Sequence, residues 1–348
     1  MTPSPPPTPR FNRKGPTVNT RSLRHTIAIA LIAFGAAGCP DASHESADAT
    51  SVDSPNAAAP LKVCASIPPI AFAVKSVGGD RVNVSTLLMP GQSPATYEPT
   101  SKQMVELSRS KCLFAVGVPF ESQVVATISS SMPDLQVVDV SADLERLPAE
   151  FACDHDHEGG DAHNHDHEHG NDIDPHVWMN PRLMITIAKS VHAELSRLSP
   201  ADAPVFDANL KSLTQSLEEV DTEIRAMLAP LKSRSIYVYH PSLGYFANAY
   251  GLKQNAIEQG GKEPTAKDLD ALVKRARSEH IKLIFVQPQF SQRAARSVAA
   301  QIDGDVVALD PLSEDYIENL RKIATQIRDA LGGPSQVPPS DTSESSND

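Results

Sequence analysis

Seven of the chain's twelve histidines lie between residues 155 and 176. Six of them, His155, His157, His163, His165, His167 and His169, sit among Asp, Glu, Gly and Asn. The seventh, His176, sits in Asp-Pro-His-Val-Trp, beside the only tryptophan. A neutral imidazole is the commonest metal-ligating side chain. The stretch 154–170 is polar and broken by glycine, so it cannot pack a core. Its six histidines are expected to be a flexible, low-affinity metal collector; the plainer alternative is an acidic loop with incidental histidines. His176 differs, because Pro175 and Trp178 fix its backbone and bury its surroundings. It is the candidate for a tight site.

Two further candidates emerge from the elements that would carry them. Short apolar runs such as "LKVCA", "VNVSTLL", "KCLFAVG" and "LQVVDVS" alternate with helical patterns. "LKVCASIPPI" reads as a strand followed by a loop, and "IAFAVKSVGG" as a helix stopped by glycines. From residue 181 to 232 there is almost no strand signal. An amphipathic helix ends near Ser199-Pro200. A longer one follows, with Phe206, Leu210, Leu213, Leu217, Val220, Ile224 and Leu228 at spacings of three and four. Roughly 28 residues of helix span about 40 Å, enough to run across two lobes. A second alternation follows: "SIYVYH", "KQNAIEQ", "IKLIFVQP" and "GDVVALDP" between helices. The fold class expected is α/β, with two lobes of parallel sheet flanked by helices and bridged by one long helix. Ligands of open α/β sheets bind beyond the carboxyl ends of the strands. The site is therefore expected in the cleft between the lobes.

His240 directly follows "SIYVY", and Asp310 directly follows "VVAL". With His176 they make two imidazoles and a carboxylate from separate segments, a set suited to a divalent metal of the zinc type. An Asp before Pro at a strand end is equally a turn or cap residue. A histidine after a strand is equally a satisfied loop residue. Spacing alone leaves both readings open.

The whole chain narrows the classes. It has 348 residues, 40% hydrophobic and 21% charged, with a net charge of −12. That balance argues against nucleic acid as a partner and favours cations. Arg21 and Arg24 precede an apolar run from Ile27 to Ala37, too short to span a bilayer comfortably. It ends in Ala36-Ala37-Gly38-Cys39, which resembles a lipobox with Ala36 where leucine is usual. Residues 1–38 are thus expected to be a signal peptide and Cys39 a lipidated N-terminus. Residues 39–60 read as a disordered tether and 333–348 as a disordered tail. Between them come an N-terminal lobe (61–200), the linking helix (201–232) and a C-terminal lobe (233–332). Cys64 and Cys112 are expected to be buried free thiols; Cys153 heads the His-rich stretch.

Residues 61–332 resemble the substrate-binding lipoproteins of bacterial zinc and manganese ABC importers, the cluster A-I metal-binding proteins. The resemblance rests on "DPHVWMNP", "YHPSLGYFANAYGL", "EPTAKDLDALV", "IFVQPQFSQRAARSVA" before "VVALDPL", and "YEPT". A His-rich insertion just before "DPHVW" also resembles the zinc members. The resemblance implies metal ligands at His176, His240 and Asp310. It also implies a histidine two residues before the aromatic of "YEP". This sequence has Ala95 there, and a methyl group cannot coordinate. Water, Glu98 or a loop histidine is left to complete the shell. A His, His, Asp set suits Zn²⁺ better than Mn²⁺. Imidazole must be neutral to bind, so affinity is expected to fall below about pH 6.5.

The function implied is an extracytoplasmic solute-binding protein that captures Zn²⁺ and delivers it to an ABC permease with a cytoplasmic ATPase. A periplasmic, lipid-anchored monomer is expected, not an enzyme. The alternatives are a periplasmic zinc buffer or metallochaperone working through the His-rich loop, and a Mn²⁺-specific binding protein. A zinc hydrolase lacks support, because no HExxH occurs and no general base is evident beside the ligands.

Overall fold

The computed structural model describes residues 59–149, 173–258, 265–290 and 292–332. The expected signal peptide, Cys39, the tether as far as residue 58, Cys153, the His-rich loop with its six histidines and the tail lie outside the described residues. The described residues belong to one compact unit.

The first lobe runs β1 (Leu61–Ala65), α1 (Pro68–Gly78), β2 (Val82–Thr86), α2 (Ser101–Leu107), β3 (Cys112–Ala115), α3 (Glu121–Ser131) and β4 (Gln136–Asp139). Its sheet is parallel in the order β2-β1-β3-β4, with Val63 opposite Val84 and Leu113 opposite Val137. The central strand β3, "CLFA", is buried throughout, as expected of a parallel strand covered on both faces.

Two readings of the sequence change here. Pro68 and Pro69 do not belong to a loop; they open α1. Proline fits the first helical turn, where its missing N–H has no intrahelical partner in any case. The chain leaves α1 through Gly79, whose φ of 54° and ψ of −139° form a positive-φ conformation that glycine, lacking Cβ, adopts most readily. Helix α3 was not expected at all. Its buried side chains are only Glu121, Val124 and Ile128, too sparse a stripe among Ser and Thr to be recognised. Helix α2 starts as its sequence suggests: Thr100 and Gln103 form a reciprocal capping box.

The second lobe repeats the plan. It runs β5 (Ser235–Val238), α6 (Gly244–Tyr250), β6 (Lys253–Ala256), α7 (Ala266–Ser278), β7 (Leu283–Val286), α8 (Gln292–Gln301), β8 (Asp305–Ala308) and α9 (Tyr316–Leu331). All strands are parallel, in the order β6-β5-β7-β8.

Between the lobes lie α4 (Pro181–Leu198) and α5 (Ala203–Leu228). Asn180 caps α4 by accepting from the Arg182 N–H, with Pro181 in the first turn. Helix α5 has 26 residues and no Gly or Pro after Pro204; at 1.5 Å per residue it spans about 39 Å. It buries Phe206, Leu213, Leu217, Val220, Ile224 and Leu228, each contributing about 1.5–3 kcal/mol as an upper estimate. It packs against α1 and α4, which precede it in the chain, and against α6 and α9, which follow it. Asp221, 1% exposed, accepts from Arg182 Nε at 2.6 Å and Arg225 Nη2 at 3.0 Å. Arg225 also donates to the Ala249 carbonyl at 2.9 Å. One buried carboxylate thus ties α4, α5 and α6. A continuous apolar cluster reaches from β1 and α1 through α4 and α5 to α9. A smaller one lies in the second lobe, around Ile284, Val298 and Ile302.

Candidate metal centre

The carboxyl ends of the second lobe's strands each present a polar residue: His240 after β5, Glu258 after β6, Gln287 and Gln289 after β7, Asp310 after β8. Pairing continues beyond β5 and β6, for the Glu258 N–H donates to the Tyr239 carbonyl at 2.8 Å. This places Glu258 beside His240. Glu258, 5% exposed, accepts from His240 Nδ1 at 2.9 Å. Gln287 holds the His240 backbone from both sides. It accepts from the His240 N–H at 3.2 Å and donates to the His240 carbonyl at 2.7 Å. Phe290 stacks on the His240 ring, with centroids 4.7 Å apart.

His176 reaches the same place from the segment before α4. The Asp174 N–H donates to the Leu147 carbonyl at 3.0 Å, and Tyr245 Oη donates to the Asp174 carbonyl at 3.2 Å. Asp174 Oδ1 accepts twice from His176, from its N–H at 2.9 Å and from Nδ1 at 2.7 Å. Trp178 is fully buried, and its Nε1 donates to the Pro311 carbonyl at 2.9 Å. Tyr316 Oη donates to the Trp178 carbonyl. The Asp-Pro-His-Val-Trp segment is therefore fixed to the second lobe at both ends.

The two imidazoles meet, with ring centroids 5.3 Å apart and planes at 73°. Each gives its Nδ1 to a buried carboxylate, which holds the proton there and leaves the Nε2 lone pair for a metal. Burial holds the His240 imidazolium below the ordinary histidine range, against the pull of Glu258. Neutral imidazole is the form that ligates.

His176 and His240 line a cavity of ≈ 460 Å³ with Ala95, Glu258, Gln289 and Phe290 among its other walls. Asp310 does not line it. Its Oδ1 accepts from Gln289 Nε2 and from the Leu312 N–H, both at 3.0 Å. It faces an adjoining cavity of ≈ 520 Å³ that shares Gln289 and Leu312 as walls. Glu98 is exposed and lines neither, while Ala95 lines the histidine cavity. Among the described residues no group of three or more His, Cys, Asp and Glu is placed to hold one ion. Ala149 and Ile173, the described residues flanking the His-rich segment, both line the histidine cavity.

Sequence reasoning passed over Asp174, Glu258 and Gln287. The rule that found His240 at the end of β5 would have found Glu258 and Gln287 at the ends of β6 and β7. Asp174 stood two residues before His176, in the quoted motif.

The family model ZnuA, described as the periplasmic component A of a zinc-uptake complex, matches residues 63–330. The zinc-binding protein AdcA of Streptococcus pyogenes serotype M3 is 28% identical over 304 residues, covering 82% of this chain and 59% of the relative. The zinc-binding lipoprotein AdcA of Streptococcus pneumoniae is 26% identical over 277 residues, covering 75% and 54%. The chain thus spans little more than half the length of these relatives. A crystal structure of ZnuA is 31% identical with a TM-score of 0.71, covering 78% of this chain and 99% of that one. A ZnuA deletion mutant with zinc bound is 30% identical, also with a TM-score of 0.71, covering 79% and 100%. The two α/β lobes are the fold of these structures. With 63–330 matched by one family model, the chain belongs to the ZnuA family, periplasmic components of zinc-uptake complexes.

Proposed function

We propose that the protein captures extracytoplasmic Zn²⁺ in the cleft and delivers it to an ABC permease driven by a cytoplasmic ATPase. The observation that carries this reading is the imidazole pair. His176 and His240 stand 5.3 Å apart, each oriented by a buried carboxylate, in one cavity. Two oriented imidazole nitrogens favour Zn²⁺ over Mn²⁺, which prefers oxygen ligands. Asp310 is the third protein ligand in this reading; to reach the ion its carboxylate must release Gln289. Glu98, being exposed, is the weaker candidate for a fourth. The role in this reading is binding and release, carried by the two oriented imidazoles.

The six histidines of 154–170 act in this reading as an auxiliary collector. Support comes from their position: the described residues on either side, Ala149 and Ile173, line the cavity. Cys39 carries a lipid that holds the monomer at a membrane.

The test is calorimetric titration of Zn²⁺ and Mn²⁺ into the chain, beside His176→Ala, His240→Ala and Asp310→Asn. Replacing the six loop histidines by alanine isolates the cleft. One tight Zn²⁺ equivalent, lost in either histidine variant, is expected. A stoichiometry that disappears with the loop histidines alone would instead mark a zinc buffer.

A further inference from the structure

The residue at position 95 and the size of the cavity do not suit a bare ion. Zn²⁺ takes four donors at about 2.0–2.3 Å, which needs little more room than the donor atoms themselves. The cavity measures ≈ 460 Å³, within the range of roughly 300–1,000 Å³ typical of small-molecule sites. Its walls include Pro94, Val118, Pro241, Phe290, Pro311 and Leu312. Those residues offer contact area to an organic molecule, while Asp174, Glu258, Gln287 and Gln289 join the histidines in the polar part of the lining. Among the described residues the two histidines supply two nitrogen donors, and the side chains of Ser93, Pro94, Ala95 and Thr96 offer no more than hydroxyls and apolar groups. Ser93 Oγ accepts from the Ala95 N–H at 3.3 Å, so its own O–H remains able to donate. The loop bearing them is fixed by Tyr97, which is buried, donates to the Leu87 carbonyl at 2.6 Å and packs edge-on against Phe120. Ala95 is therefore held at the cavity by a built loop.

We propose that this cavity takes Zn²⁺ together with a small chelator of the amino-acid class. The chelator's amine and imidazole or carboxylate donors complete the shell on the Ala95 side, its body lies against Phe290 and the prolines, and Ser93 and Thr96 donate to its remaining oxygens. The inference rests on the zinc reading above and specifies its cargo. Asp310 does not remove the need, because it approaches from the Gln289 wall and not from the Ala95 side.

The experiment uses the full chain with His155, His157, His163, His165, His167 and His169 replaced by alanine, so that no loop donor competes. Zinc occupancy is measured by equilibrium dialysis at matched free Zn²⁺, with and without L-histidine as the probe chelator. Native mass spectrometry reads what is retained. A site for the bare ion is indifferent to L-histidine once free Zn²⁺ is matched. A site for the complex gains at least ten-fold in apparent affinity and retains zinc plus one histidine. Ala95→His is expected to reverse the pattern, with tight zinc alone and no retained histidine. Equal occupancy with and without L-histidine, and a mass of zinc alone, would overturn the chelate proposal and leave the zinc reading standing, provided His176→Ala abolishes it. No zinc retained in either form would overturn both.

Discussion

Glu258 Oε2 lies 2.9 Å from His240 Nδ1, although the two residues are 18 apart in sequence and sit beyond different strands. The relationship exists because β5 and β6 are neighbours in register, with Val238 opposite Ala256. A carboxylate there selects the tautomer with Nε2 free and raises the basicity of the ligating nitrogen. Glu258→Ala is expected to weaken Zn²⁺ binding about 10- to 100-fold, and Glu258→Gln less, since its amide oxygen still accepts. Competition against a zinc-chelating dye measures both. Unchanged affinity in Glu258→Ala would show that Gln287 and Phe290 alone orient the ring.

Trp178 offers a direct view of the site. Its ring centroid lies 5.2 Å from that of His176, and it is the only tryptophan. Tryptophan emission is expected to change as Zn²⁺ is added and to saturate at one equivalent in the chain lacking the six loop histidines. Emission that ignores zinc would place the ion away from His176.

Trp178 also has a structural role. Its Nε1 supplies the donor for the Pro311 carbonyl. Trp178→Phe leaves that carbonyl without this partner and is expected to cost about 1–3 kcal/mol for the unmet hydrogen bond. Urea unfolding followed by circular dichroism measures this, with zinc affinity lowered in the same variant because His176 loses its fixed neighbour.

The Asp221 network predicts a stability effect without a binding effect. Asp221→Asn keeps the shape but weakens the bonds from Arg182 and Arg225. Both arginines are about half or more exposed, so they rehydrate easily. The expected loss is about 1–3 kcal/mol, with zinc affinity unchanged. A lost zinc site would mean that α4 positions His176 more directly than the contacts indicate.

Cys64 and Cys112 are free and buried in β1 and β3. Burial pushes their thiols up to about 11 and about 12. The thiolate is the reactive form, and at pH 8 nearly none is present. Neither cysteine is expected to react with a disulfide reagent in the folded protein, and both should react once urea unfolds it. Fast labelling of the native chain would contradict their placement.

The α/β alternation, the two lobes and the apolar face of α5 were legible because each is written in local periodicity. His176 and His240 were legible because proline, tryptophan and a strand end mark them. The carboxylates behind them were not, for a physical reason. Which strand-end residue meets which depends on sheet order, and nothing local in "NAIEQ" says that its strand lies beside "SIYVY". The placement of Asp310 was hidden in the same way: its position after β8 is local, but its bond to Gln289 is not. Helix α3 escaped because Val124 and Ile128 carry most of its apolar contact.

The unbroken α5 has a mechanical consequence. A helix bends sharply where proline, glycine pairs or inserted groups interrupt its ladder, and beyond Pro204 this one has neither residue. With both lobes packed along it and Trp178 stapled to Pro311, the molecule resembles a fixed vice more than a hinged jaw. Letting a bound ion go then falls to parts small enough to move alone, such as the Gln289 side chain that holds Asp310. Swinging one such side chain is a far smaller change than prising the halves apart.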